Sequence, residues 1–231
     1  MTVALLIPLM LLLILRLHGV QTYLASQAAL LASEELQRPV FIGSLKFNYR
    51  LSFIADNLFI GDTNMGKIFY ADHLEVRIKT LNKKKRKLKI SRLLLEGNSL
   101  TIARNNVDST FNIPLATLNK GAEDKSWKIE LEKLLIKNSS LEYIDPLAQH
   151  MPIGNNHFDA GHVLISDFSS DIENISFSKD SINLFIKDLS LSLNDNFSIK
   201  KLQTNLIKTD EHIAVNDFLF ITDNSQIKIP N

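Results

Sequence analysis

The 231-residue chain contains no cysteine, so it forms no disulfide bond and offers no thiolate as a metal ligand or nucleophile. Glycine and proline are scarce, with 8 and 6 residues, which excludes collagen-like and linker-like stretches. The sequence also lacks a Gly-x-Ser-x-Gly elbow and a glycine-rich phosphate loop. We therefore predict that the protein is not an enzyme and that it uses no cofactor.

One cluster of histidines is the candidate metal site. It consists of His150, His157 and His162 with Asp159 between them. Imidazole and carboxylate groups are common ligands of divalent metals, but this spacing follows no known zinc pattern. The sequence therefore predicts no metal site.

Positive charge is concentrated in the first half of the chain, although the net charge is only +1. Residues 1–105 hold 15 lysines and arginines against 7 acidic residues, and residues 106–231 hold 11 against 18. The segment KKKRK at 83–87 supplies much of this bias. A solvated turn is the expected role of that segment, and contact with anionic lipid headgroups is the alternative. Near neutrality of the whole chain argues against a nucleic-acid partner.

The N-terminus begins with an uncharged apolar run, Thr2–Leu15, that ends at Arg16. The run is somewhat short for a hydrocarbon core of about 30 Å, unless the following residues up to Val20 extend it. A cleaved signal peptide is the alternative, but no basic segment precedes the run and no small-x-small cleavage site follows it. We predict an uncleaved transmembrane anchor over residues 1–19, built on Leu5, Leu6, Ile7, Leu9, Leu11, Leu12, Leu13, Ile14 and Leu15.

Apolar residues recur at helical spacing directly after the anchor. Pro39 ends the pattern, because proline disfavours the helical conformation in the residue before it. The sequence therefore predicts an amphipathic helix over 20–38. Its apolar stripe consists of Val20, Tyr23, Leu24, Ala28, Leu31, Ala32 and Leu36.

From residue 39 to the end of the chain, apolar and polar residues alternate in one short segment after another. Segments 40–47, 51–62 and 67–80 are separated by polar turn-like residues, and the alternation returns at 182–193, 197–207 and 213–229. Successive strands without helices are typical of an antiparallel meander with one apolar face. We predict a β-rich repeat domain over 39–231. A closed β-sandwich or solenoid is the alternative.

The clearest internal repeat pairs residues 88–102 with residues 129–143, at an offset of 41 positions. Apolar positions coincide throughout the two segments. The parity of the alternation slips by one residue between Ile90 and Leu93, which fits a β-bulge. The polar triplets 97–99 and 138–140 predict tight hairpin turns.

The order of these segments resembles a known family. The succession is VQTYLASQAALLASEEL (20–36), VFIGSLKF (40–47), YADHLEV (70–76), KLKISRLLLEGNSLTI (87–102), STFNI (109–113), NNHFDAGHVLISDFSSDI (155–172) and TDNSQIKI (222–229). It is similar to the N-terminal part of TamB-like proteins of the AsmA-like superfamily, in the version found in Bacteroidota. The resemblance covers nearly the whole chain. Because family members are much longer, it implies that these residues are the start of a longer chain.

The resemblance implies a single-pass inner-membrane protein whose β region lies in the periplasm. That region would be an elongated, curled antiparallel sheet, a taco-like trough with an apolar interior that carries phospholipid toward the outer membrane. The alternative implied function is a scaffold for outer-membrane protein assembly, working with a BamA-like barrel through a C-terminal part not in this chain. Alternation gives the candidate lipid-facing residues Leu88, Ile90, Leu100, Ile102, Leu131 and Ile136.

Overall fold

The computed structural model describes residues 17–48, 52–62, 66–105, 110–113, 128–148, 159–177, 181–194 and 196–229. The predicted anchor lies almost entirely outside these residues. Among the residues described, no helix is long and apolar enough to cross a membrane. The described elements are a helix and ten strands: α1 (His18–Leu36), β1 (Val40–Asn48), β2 (Ser52–Gly61), β3 (Lys67–Asn82), β4 (Lys87–Ala103), β5 (Lys128–Ile144), β6 (His162–Phe177), β7 (Ser181–Leu193), β8 (Phe197–Thr209), β9 (Ile213–Thr222) and β10 (Gln226–Ile229).

The ten strands form a single sheet in chain order from β1 to β10. A mainly β body after an N-terminal helix is therefore confirmed. The sheet is open, with β1 and β10 as its edges, so the alternative of a closed β-sandwich is wrong for the part of the chain that is described. The prediction of a purely antiparallel sheet is also wrong, because β4 and β5 pair in parallel.

The internal repeat is the register of this parallel pair. Leu88 lies opposite Ile129, Leu95 opposite Ile136 and Ile102 opposite Tyr143, which is the 41-residue offset throughout. The predicted hairpin turns at 97–99 and 138–140 are therefore wrong, because both triplets lie inside continuous strands. Gly97 and Asn138 do adopt the left-handed conformation common in turns, with φ of 61° and 48°, but strand pairing resumes beyond them.

Left-handed residues form a line across the middle of the sheet, which we call the left-handed line. Asn57 of β2 and Gly97 of β4 both lie beside Asp72 of β3, and the line continues through Asn138 of β5 and Asp167 of β6. The apolar alternation changes parity at this line in each of these strands. The pairing register is unchanged across the line from β1 to β5, and a left-handed residue interrupts the pleat, so we infer that the apolar side chains return to the same face on both sides of the line.

Helix α1 packs against β1 through its smallest residues. Ala25 and Ala29 are buried, and the hydroxyl of Ser33 accepts a hydrogen bond of 2.9 Å from the Val40 amide. Gln37 ends the helix in the left-handed conformation. The predicted helix is confirmed, with ends within two residues of those expected. Members of its predicted stripe, however, are exposed: Tyr23, Leu31 and Leu36.

The buried core is small and made mainly of small residues. The described apolar residues that are buried are Ala25, Ala29, Val40, Ala55, Ile68, Ala71, Leu94 and Ile175. Apart from α1 against β1, the substantial contacts between described elements join hydrogen-bonded neighbours in the sheet. Within the described ranges, therefore, no second sheet or further helix is stacked on the ten strands.

Candidate functional site

Rows of apolar side chains cross the sheet from strand to strand. Residues directly opposite each other in neighbouring strands project from the same face, so the register defines each row. The first apolar row crosses eight strands without a polar residue. Its members are Val40, Ile60, Phe69, Leu100, Leu141, Ile165, Leu193 and Phe197.

Three further rows lie on the other side of the left-handed line. The second apolar row is Leu45, Ala55, Leu74, Leu95 and Ile136, and the third, two residues away on the same face, is Phe47, Phe53, Val76, Leu93, Leu134, Ile172 and Ile186. The fourth is Ile78, Ile90, Leu131 and Ile175. The register between β3 and β4 shifts beside Ile78, where the sequence predicted a bulge.

Most members of these rows are only half-buried. In the first row only Val40 is buried, Phe197 is exposed, and the side chains between them have intermediate exposure. In the third row Phe53 is 37% exposed, although its ring makes an edge-on contact with Phe47 at 5.0 Å between centroids. Rows of large apolar side chains that remain accessible to solvent form a surface suited to an apolar ligand.

Ion pairs alternate with the fourth row along β4 and β5. Lys79 and Lys89 both contact Glu132, with N–O distances of 2.7 and 2.9 Å, and Lys87 contacts Glu130 at 2.8 Å. Hydrogen bonds from Lys79 and Lys89 hold the pKa of Glu132 below its usual value. Because Lys89 stands between Leu88 and Ile90 in the strand, its side chain projects from the face opposite to theirs.

A second ion cluster joins β5, β6 and β7. The Lys133 ammonium group lies 2.9 Å from both Asp171 and Glu173, and Lys187 lies 3.4 Å from Glu173. The hydrogen bonds to Glu173 and Asp171 raise the pKa of Lys133, and the Lys133 hydrogen bond lowers the pKa of Glu173. These pairs bind adjacent strands together and keep their charges internally compensated.

The structure brings the six predicted lipid-facing residues onto two neighbouring strands. Ile90 and Leu131 lie directly opposite each other in the fourth row. Leu100 belongs to the first row and Ile136 to the second, while Leu88 lies opposite Leu81 and Ile102 opposite Tyr143. The predicted anchor residues Leu5–Leu15 lie outside the described residues.

Sequence reasoning missed most of the second and third rows. Their members on β1, β2 and β3 were assigned to strands but not to the candidate surface. The missed signal was the change of parity around Gly43, Asn57 and Gly97, where a small or amide residue separates two apolar alternations. This signal recurs in several strands at positions that the register brings side by side.

The candidate metal cluster is only partly described. His150 and His157 lie outside the described residues. His162 lies 3.0 Å from Glu142, and the Asp159 carboxylate accepts a hydrogen bond from the Gly161 amide. Over the described ranges, no group of three or more histidine, aspartate or glutamate residues is arranged to hold a metal ion.

The functional hypothesis for this chain depends on its own apolar rows and ion pairs, whose geometry is given by the strand register. No protein-family model matches the chain, and no curated protein matches it.

Proposed function

We propose that the protein is a membrane-anchored, non-enzymatic lipid conduit that needs no cofactor. In this proposal the N-terminal segment spans the inner membrane once, and the sheet lies in the periplasm and carries phospholipid toward the outer membrane. The observation that carries the proposal is the first apolar row, which crosses eight strands and, beyond the contact of α1 with β1, has no described element stacked over it.

Acyl chains are the ligand that best matches the shape and chemistry of these rows. Each methylene group removed from water contributes about 0.8 kcal/mol, so an acyl chain lying along several residues gains stabilisation without any specific polar contact. A surface that recognises lipid by area alone lets the ligand move from one strand to the next. The ion pairs of Lys89 and Lys133 lie on the face opposite to the neighbouring apolar rows.

Curling of the sheet into a taco-like trough is part of the same proposal. Bulges bend a strand and increase its local twist. The left-handed line places residues of unusual backbone conformation at the same level in several strands, so bends at these residues would add up rather than cancel. Bending toward the apolar rows would enclose an acyl chain and shield it from water.

Site-specific photo-crosslinking tests the proposal. A photoreactive residue at Ile90, Ile102 or Leu131 should capture phospholipid in cells, because these side chains lie on the proposed lipid-facing side. The matched controls are the preceding residues in the same strands, Lys89, Thr101 and Glu130, whose side chains point the other way. Equal labelling of the two sets, or no lipid adduct in either, would contradict a lipid-bearing face.

A second candidate function is a scaffold for outer-membrane protein assembly with a BamA-like barrel. The edge of the described sheet at β9 and β10 favours it. All four residues of β10 are exposed, and Ile213 and Val215 of β9 are 64% and 46% exposed beyond the end of β10. An open edge can accept a strand from another protein. If this edge is the working part, Ile227→Pro abolishes assembly of barrel proteins while lipid adducts at Ile90 persist.

A further inference from the structure

Helix α1 carries apolar residues on two faces, and the sheet covers only one of them. The covered face consists of Ala25 and Ala29, which are 1% and 9% exposed, and of Ser33, which bonds Val40. Small side chains allow the helix to approach β1 closely. Successive residues lie about 100° apart around a helix, so the opposite face is the one that carries Tyr23 and Leu31.

The outward face holds several large apolar residues of the helix. Tyr23 is 62%, Leu30 53% and Leu31 65% exposed, and Leu17 at the N-cap is 58% exposed. A surface helix normally turns its large apolar side chains inward and its polar ones outward. Here the small residues face the protein, and Tyr23, Leu30 and Leu31 face away from it beside the polar residues Gln27 and Glu34, so this mixed face suits a partner that is itself part apolar and part polar.

The position of α1 in the chain favours a lipid surface as that partner. The uncharged apolar run Thr2–Leu15 ends only two residues before His18, the first residue of the helix. A segment that leaves a bilayer at Arg16 enters α1 at the level of the headgroups. A tyrosine side chain suits that level, because its ring is apolar and its hydroxyl group is polar. Glu34 and Glu35 mark the end where the face becomes acidic.

We propose that Tyr23, Leu30 and Leu31 of α1 lie in the interfacial layer of the bilayer that holds the N-terminal segment. The helix then rests on the membrane through its outward face and holds β1 through its inner face. This inference rests on the proposed membrane anchoring of the chain. In this arrangement α1 fixes the orientation of the sheet relative to the membrane.

Depth-dependent fluorescence quenching tests the inference on the full chain. Because the protein has no cysteine, single-cysteine variants accept a small fluorophore at one site only. Leu31→Cys and Leu30→Cys are labelled in vesicles of phosphatidylethanolamine and phosphatidylglycerol that contain a nitroxide lipid quencher. Both labels should lose most of their fluorescence to a quencher near the headgroups, and less to one near the bilayer centre.

Three control sites separate the outcomes. Thr22→Cys is exposed on another side of the same helix, and Asp210→Cys is exposed in the β8–β9 turn, far along the sheet from α1, so neither label should be quenched. Leu9→Cys reports on the anchor. Quenching at Leu9 without quenching at Leu31 overturns the inference and leaves the anchor in place, whereas quenching at neither site overturns both. A Leu31 label that is shielded from water but not quenched shows a protein partner or a second copy on this face, which also overturns the inference.

Discussion

At the scale of single residues, the left-handed line shows how a few backbone conformations organise a whole sheet. Glycine, asparagine and aspartate occupy the line at Asn57, Gly97, Asn138 and Asp167. Glycine has no Cβ to clash at positive φ, and the short polar side chains of asparagine and aspartate tolerate this conformation better than most. The same residue types favour turns, so sequence reasoning assigned 97–99 and 138–140 to hairpins. Only the strand pairing on both sides distinguishes the two structures.

Replacing Gly97 tests the left-handed line directly. Gly97→Ala places a Cβ at a φ of 61° and against the carboxyl group of Asp72, so we expect a loss of about 1–3 kcal/mol in the free energy of unfolding. Denaturant titration measures the loss. Gly19→Ala is the matched control, because nothing lies within 4 Å of a Cβ there and the protein should be unaffected or slightly stabilised. Adding Asp72→Ala to Gly97→Ala removes the steric clash, so it should recover the part of the unfolding free energy that the clash costs. The part that comes from the positive φ should remain lost.

The pH dependence of stability should reveal the ion cluster of Lys133 and Glu173. The hydrogen bond from Lys133 lowers the pKa of Glu173 in the folded protein, so the folded state binds this proton less readily than the unfolded state. This contribution to stability is complete above the ordinary glutamate pKa and is lost as the pH falls through the lowered value. We expect Glu173→Gln to be less stable than the parent at neutral pH and to lose less stability in acid.

The control for this pH experiment is Glu35→Gln, which removes a carboxylate from an exposed position on α1. As the pH falls, its unfolding midpoint should decrease in the same way as that of the parent protein. If Glu173→Gln loses stability in acid as steeply as the parent protein does, the ion pair between Lys133 and Glu173 is not formed in solution. That result would also remove the argument that this cluster binds β5 to β6.

At the scale of elements, the parallel pairing of β4 with β5 is the feature that sequence reasoning least expected. Most strand segments, the repeat and the bulge near Ile90 were predicted, because alternation and turn residues are local signals, but β6 was not assigned and β9 and β10 were predicted as one segment. Pairing direction is not local, since residues 104–127 separate the two strands. The charges held a partial clue: Lys89 faces Glu130 and Glu96 faces Lys137, so the sign of the charge is exchanged at these two positions, although Lys87 faces Lys128. Opposite charges directly across two strands favour pairing in register, because like charges at such positions repel.

Cysteine cross-linking discriminates between the two pairing directions. Thr101 lies directly opposite Glu142 in the parallel register, whereas an antiparallel arrangement of the same two strands would bring Thr101 opposite Glu130. We expect the variant with Thr101→Cys and Glu142→Cys to react with a short bifunctional thiol reagent to give an internal cross-link, detected by mass spectrometry. The variant with Thr101→Cys and Glu130→Cys should give none. The reverse pattern would overturn the parallel assignment.

At the scale of the whole molecule, the sheet is one open layer whose large apolar residues are mostly half-exposed. The sequence indicated one apolar face and left open whether it closes on itself, because alternation is the same in a trough and in a sandwich. The described strands resolve that question in favour of an open sheet. Open structure should make the apolar rows tolerant of polar substitution, while the few fully buried positions remain sensitive.

Two substitutions in β4 test this contrast. Leu94 is 5% exposed, so Leu94→Asp buries an unpaired carboxylate and should lower the free energy of unfolding by about 3 kcal/mol or more. Ile102 has intermediate exposure, so Ile102→Asp should cost about 1 kcal/mol or less, measured by the same denaturant titration. Loss of lipid adducts in Ile102→Asp with the fold intact supports a conduit. Unfolding of both variants to the same extent would indicate that the Ile102 region belongs to a closed core.

The direction of the apolar rows links their length to the number of strands in the sheet. Rows run across the strands, so their length depends on the number of strands and not on the number of residues in each. Adjacent strands lie about 4.8 Å apart, which gives the first row, over its eight strands, a span of about 34 Å. That span is close to the hydrocarbon thickness of a bilayer, about 30 Å. One additional hairpin would lengthen the row by about 10 Å without changing any existing contact. The length of a row can therefore change independently of the side chains that form it.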